Sequence, residues 1–118
     1  MKQEIAICWS EALLIYKINP GYTPLKVDDT FSILGVLCDL SQLGRWFEQM
    51  IDDGETFYVC SNGDTAKSVL PAFIMYWADM KTNIAHIDSI NKSLLTLSEY
   101  GMPIADIAEL IKLHWEEL

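Results

Sequence analysis

Basic residues are scarce in this chain: eight Lys and Arg stand against 17 Asp and Glu over 118 residues, a formal charge of −9. Nucleic-acid binding relies on Lys and Arg displacing the counterions condensed on phosphates, so the charge predicts no direct contact with DNA or RNA. Glycine and proline are also few, six and four, beside 51% hydrophobic residues. That balance excludes a disordered tail, a collagen-like repeat and a low-complexity linker, because there is ample apolar surface to offset chain entropy. The three cysteines, Cys8, Cys38 and Cys60, are odd in number, lie in apolar runs and form no C-x-x-C pair. They read as buried, reduced thiols. No stretch of about 18 apolar residues exists to cross a membrane, and Glu4 and Glu11 interrupt any secretory apolar region, so the expected location is the cytoplasm.

What remains is one acidic globular domain, 1–118, rich in large rings: four Trp, five Tyr and four Phe. Some of those rings are expected near the surface, where they favour a protein partner. From Gln3 to Ile18, Ile5, Cys8, Trp9, Ala12, Leu13 and Tyr16 recur at helical spacing, and Asn19-Pro20-Gly21 stops the helix. Asp28, Asp29 and Thr30 offer caps to a second helix, Phe31 to Leu43, whose apolar positions nearly encircle it. Gly44 is its expected left-handed stop. Arg45-Trp46-Phe47 and Thr56 to Cys60 suggest a hairpin, and Pro71 opens a third helix to Met80. Asp88 or Ser89 caps a fourth to Tyr100, and Pro103 starts a fifth in which Ile104, Ile107, Ala108, Ile111, Trp115 and Leu118 form one stripe. The expected fold class is therefore α+β and mostly helical: about five helices around a central helix 31–43, with one short β-hairpin at about 45–60.

Chemistry-bearing motifs are sparse. His86 and His114 have only Asp88 and Glu117 as near carboxylates, which is too few ligands for zinc. Neither the EF-hand pattern nor a nucleophile elbow nor a glycine-rich phosphate loop is present, so no catalytic residue, metal or cofactor is predicted. The segment Leu97 to Ile111 opens like a helix-turn-helix but lacks a basic recognition helix and ends on Trp115-Glu116-Glu117-Leu118. It reads as an αα-hairpin closing the core.

The order of LGVLCDL (Leu34 to Leu40), Gly44-Arg45-Trp46, FYV before Leu70-Pro71, Trp77-Ala78 and LSEYGMPIADIAELI resembles small phage- and prophage-encoded proteins with no assigned activity, over about Phe31 to the C-terminus. The resemblance implies a setting: a small acidic phage-type protein that binds and disables a bacterial defence or nucleic-acid-processing factor, of anti-CRISPR or anti-restriction type. The expected partner is a bacterial host protein with a basic surface, met through Asp52, Asp53, Glu55, Trp46 and Tyr58 around the hairpin, or Glu109, Glu116 and Glu117 on the last helix. The alternative is a small ligand-binding domain or enzyme with a pocket between hairpin and helices, lined by Asp39, Arg45 and His86.

Overall fold

The computed structural model describes residues 1–19, 24–48 and 55–118. Helix α1 spans Gln3–Leu13, and its buried side includes Ala6, Trp9, Ala12 and Leu13. The Trp9 indole N–H donates to the Ile33 carbonyl at 2.9 Å, so the largest ring of the core is also hydrogen-bonded. The helix stops short of the expected Ile18 because Lys17–Asn19 pairs elsewhere. Ile18 bridges Phe31, the Phe31 N–H donates to the Lys17 carbonyl at 3.0 Å, and the Asn19 N–H donates to the Phe31 carbonyl at 2.9 Å. A β-branched residue offered an extended partner leaves the helical pattern.

Strands β1 (Lys26–Val27) and β2 (Thr30–Phe31) form a hairpin whose two-residue turn is Asp28-Asp29, with Asp28 at φ 53°. Those carboxylates thus serve a tight turn, for which Asp tolerates positive φ, and do not cap α2. Ser32 is the cap: its hydroxyl accepts from the Gly35 N–H at 3.1 Å. Helix α2 is Ile33–Ser41, shorter at both ends than 31–43, and its residues Ile33 to Cys38 are all buried. Any side chain at Gly35 would collide with the Leu25 carbonyl, which is how the segment before β1 lies directly on α2. The left-handed stop is Gln42 (φ 53°), and Gly44 is instead the first residue of β3. A Cβ on Gly44 would strike the Val59 carbonyl and lie 2.9 Å from the Tyr58 ring.

The expectation of one hairpin is overturned: the strands form three small antiparallel sheets. The largest orders β3 (Gly44–Glu48), β4 (Thr56–Cys60) and β5 (Thr65–Ala66), with Trp46 opposite Tyr58 and Arg45 opposite Val59. After α3 (Ala72–Ala78), preceded by Pro71, a third pair joins β6 (His86–Ile87) to β7 (Lys92–Ser93) around a short 3-10 turn, Asp88–Ile90. That pair takes up the first half of the expected fourth helix. Helix α4 is only Leu94–Glu99, capped by Ser93, whose hydroxyl accepts from the Thr96 N–H at 3.0 Å. Two-residue strands have no readable periodicity, and their pairing depends on a partner supplied by the fold.

Helix α5, Ile104–His114, buries Ile107, Ala108 and Ile111 against α1, and with α4 it makes an αα-hairpin through Gly101 (φ 89°). Buried side chains from all five helices meet in one cluster around α2. The two ends of the chain join it, as Met1 and Leu118 are buried, the Lys2 N–H donates to Ala78 and the Lys81 N–H donates to Leu118, both at 2.8 Å.

Candidate interaction site

Strand alternation sends Trp46 and Tyr58 to the face of the β3–β4 ribbon that packs on α2. There the rings form an edge-to-face series: Tyr16 to Phe31 at 5.2 Å, Phe31 to Trp46 at 5.8 Å, Trp46 to Tyr58 at 4.7 Å. Asp39 sits at its centre and accepts from the Tyr16 hydroxyl at 2.6 Å and the Trp46 indole N–H at 2.9 Å. Burial first, and the Asp39 carboxylate second, push the Tyr16 hydroxyl up to about 12. The Lys26 ammonium lies 5.3 Å from the Phe31 ring centre and 5.6 Å from that of Trp46. Tyr58 is 1% exposed, its hydroxyl 3.1 Å from Ser41 Oγ, and burial raises its pKa. Trp46 and Tyr58, expected as contact residues, both belong to this network. Tyr58 belongs to the core, and Trp46 is half-buried with its one donor engaged.

The acidic candidates separate in the same way. Asp52 and Asp53 lie outside the described residues. Glu55 is held by Lys67 at 2.6 Å, and Glu109 lies 3.7 Å from Lys112. Glu116 is exposed, and only its backbone carbonyl is engaged, by Lys81 Nζ at 2.9 Å. Glu117 is occupied within the fold, since it accepts from the Ser89 N–H at 2.8 Å and hydroxyl at 2.9 Å and meets His114 Nδ1 at 2.6 Å. The hydrogen bond from His114, then those from Ser89, hold its carboxyl below the usual range. It ties the end of α5 to the 3-10 turn. His86 similarly meets Asp88 at 3.5 Å. Among the described residues no three His, Cys, Asp or Glu side chains gather to hold a metal ion.

Helices α1 and α5 pack against each other, and of the two only α5 was among the sequence candidates. Glu4 and Glu11 on α1, Asp106 on α5 and Glu116 just beyond α5 are exposed carboxylates with no basic partner among the described residues. On the same helices Ile7 and Leu113 are exposed, Leu113 by 73%, and Ile15 just beyond α1 by 83%. The signal was available in part: Leu113 falls off the Ile107–Ile111 stripe, on the side of Asp106, Glu109 and Glu116.

Three of the clefts among the described residues bear on a ligand site. One of about 370 Å³ lies on the outer face of the β3–β4 ribbon and is lined by Gln42, Leu43, Arg45, Phe47, Val59 and Ser61. A second, also about 370 Å³, lies between β6–β7 and α4 and includes His86, Lys92 and Tyr100. A third of about 240 Å³ is an apolar groove of Ile5, Cys8, Leu40 and Trp77 with Glu4 at its rim. Of the residues expected to line a pocket, Arg45 lines the first cleft and His86 the second, and Asp39 lines none of the three. Cysteine placement is corrected as well, since Cys38 and Cys60 are buried, with thiol pKa values raised by burial, but Cys8 is exposed. All three are free thiols.

No helix among the described residues is long and apolar enough to cross a membrane. Neither a curated protein nor a solved structure matches the chain. A family model described as a domain of unknown function, DUF8296, matches residues 1–115, and with nearly its whole length covered the chain belongs to that family.

Proposed function

We propose that this protein is a phage- or prophage-encoded binding module of the bacterial cytoplasm, one that inhibits a host defence or nucleic-acid-processing factor, of anti-CRISPR or anti-restriction type, by covering a basic surface. The observation that carries this reading is that the neighbouring helices α1 and α5 bear exposed Glu4, Glu11 and Asp106, with Glu116 just beyond α5, none with a basic partner among the described residues, and that Ile7 and Leu113 are exposed on the same two helices. Unpaired carboxylates steer a basic partner in, and apolar side chains among them supply the contact area that holds it. The −9 charge extends that steering over the whole molecule and repels free nucleic acid.

The test is capture of a partner from bacterial lysate, identification of that partner, and association kinetics with the purified pair. A quadruple reversal, Glu4→Lys, Glu11→Lys, Asp106→Lys and Glu116→Lys, is expected to slow association by about tenfold or more, and the wild-type on-rate is expected to fall as salt rises. A partner whose on-rate ignores both salt and the reversals would refute the reading, as would micromolar DNA binding by the isolated protein. The alternative reading, a ligand-binding domain, is favoured by one observation only, the cleft that Arg45 lines.

A further inference from the structure

Arg45 is the only arginine of the chain. It is exposed, yet no carboxylate pairs with it among the described residues. Alternation along β3 separates it from Glu48, three residues away, because side chains at odd spacing leave opposite faces of a strand. Its cross-strand neighbour is Val59, and the Phe47 ring, 53% exposed, stands two residues along on the same face. Gln42 and Ser61, on the rim of the same cleft, also have side chains without a hydrogen bond among the described residues. Thus a guanidinium, an amide and a hydroxyl, none hydrogen-bonded within the described residues, border a cleft whose walls are Leu43, Phe47 and Val59. The volume, about 370 Å³, is in the range of small-ligand sites.

We propose that this cleft binds a small monoanionic carboxylate carried on an apolar body, with Arg45 gripping the carboxylate and Phe47 and Val59 flanking the body. A planar guanidinium matches a carboxylate with two parallel hydrogen bonds, and the apolar flank strengthens that pair by excluding water. One cation in a chain of charge −9 favours a monoanion over a phosphate dianion, which the remaining charge would repel more strongly. The apolar walls favour an aryl- or alkyl-carboxylate over acetate. The site lies apart from α1 and α5 and does not depend on the partner-binding reading. The other two clefts fit a carboxylate less well: the second offers only the Lys92 ammonium, which cannot grip both oxygens, while its Ser93 donates to Thr96 and its His86 faces Asp88, and the third has Glu4 as its one charged group.

The experiment is a titration of uniformly 15N-labelled protein with 4-phenylbutyrate, 4-phenylbutan-1-ol and acetate, followed by amide shifts. Saturable shifts confined to residues 42–47 and 59–61 are expected with phenylbutyrate, and affinities at least about tenfold weaker for the alcohol and for acetate. Arg45→Ala is expected to weaken phenylbutyrate binding by at least about tenfold, and Arg45→Lys to restore only part of it, because an ammonium cannot grip both oxygens. N-acetylphenylalanine beside its amide distinguishes a free acid from the carboxyl end of a chain: tighter binding than phenylbutyrate identifies a chain end, weaker binding a free acid. Equal affinity for acid and alcohol, shifts centred elsewhere, or an Arg45→Ala variant that binds as well as wild type would overturn the proposal. Because Arg45 is exposed, the unchanged spectrum of the variant away from the cleft verifies its fold in the same measurement.

Discussion

The two faces of the β3–β4 ribbon are built from alternate residues of the same strands and have opposite roles. On the inner face Trp46 meets Phe31 and Tyr58 edge to face, and the polar atoms of Trp46 and Tyr58 meet Asp39 and Ser41. On the outer face Arg45 lies opposite Val59 with Phe47 two residues along, and no carboxylate among the described residues pairs with the guanidinium. Inner rings supply stability and outer ones remain available to a ligand. A large ring next to a charge in the sequence therefore says little about binding until its parity along the strand is known.

The largest expected effect tests what the inner face leans on. Leu37 is fully buried in α2, so Leu37→Asp places an unpaired carboxylate in the core at a cost of several kcal/mol against a total stability of roughly 5–15. Loss of cooperative thermal unfolding by circular dichroism is the expected outcome, and a native-like melt would mean that α2 has an open side.

The faces themselves are compared by Trp46→Ala and Phe47→Ala. Truncating a buried Trp costs about 3–5 kcal/mol, and half-burial puts Trp46 toward the lower end of that range. Phe47→Ala is expected to stay within about 0.5 kcal/mol. Urea unfolding of the two variants measures the difference, and equal losses would erase the distinction between the faces.

Alkaline pH sharpens the account of the inner network. Tyr16 has its pKa raised from 10.0 to about 12 in the folded protein, so between those values the native state binds more protons than the unfolded chain. The stabilisation is fully present below pH 10 and is lost as pH rises through about 12. Tyr16→Phe is expected to flatten the fall in stability over that window, leaving the shares from Tyr58, Cys38 and Cys60, whose pKa values are shifted in the same direction. An unchanged pH profile in the variant would show that the hydroxyl and Asp39 are uncoupled.

The smallest effect is chemical. Iodoacetamide under native conditions is expected to label Cys8 promptly and Cys38 and Cys60 only after unfolding, as read by mass spectrometry. Rapid labelling of Cys60 would mean that the end of β4, where the two faces meet the core, opens readily.

Local pattern alone determined the long helices. The stripe Ile107, Ala108 and Ile111 in α5 and the apolar ring of α2 are properties of one segment facing one core, and they can be read without knowing what lies opposite. The helix-stopping role of Gly101 is equally local, since its φ of 89° is open to glycine without strain. Tertiary structure alone decided everything that needs a distant partner. Asp28 and Asp29 became a turn because β1 meets β2, and Lys17–Asn19 left the helical pattern because Phe31 was there to pair with. Gly44 is required by the closeness of Val59, and Glu117 is occupied by Ser89, 28 residues away in sequence. The same holds for the candidate sites. Trp46 and Arg45 are adjacent in the chain, but whether each stabilises the fold or can meet a ligand depends on which face of the ribbon α2 covers. That packing is a long-range event which composition and spacing do not encode.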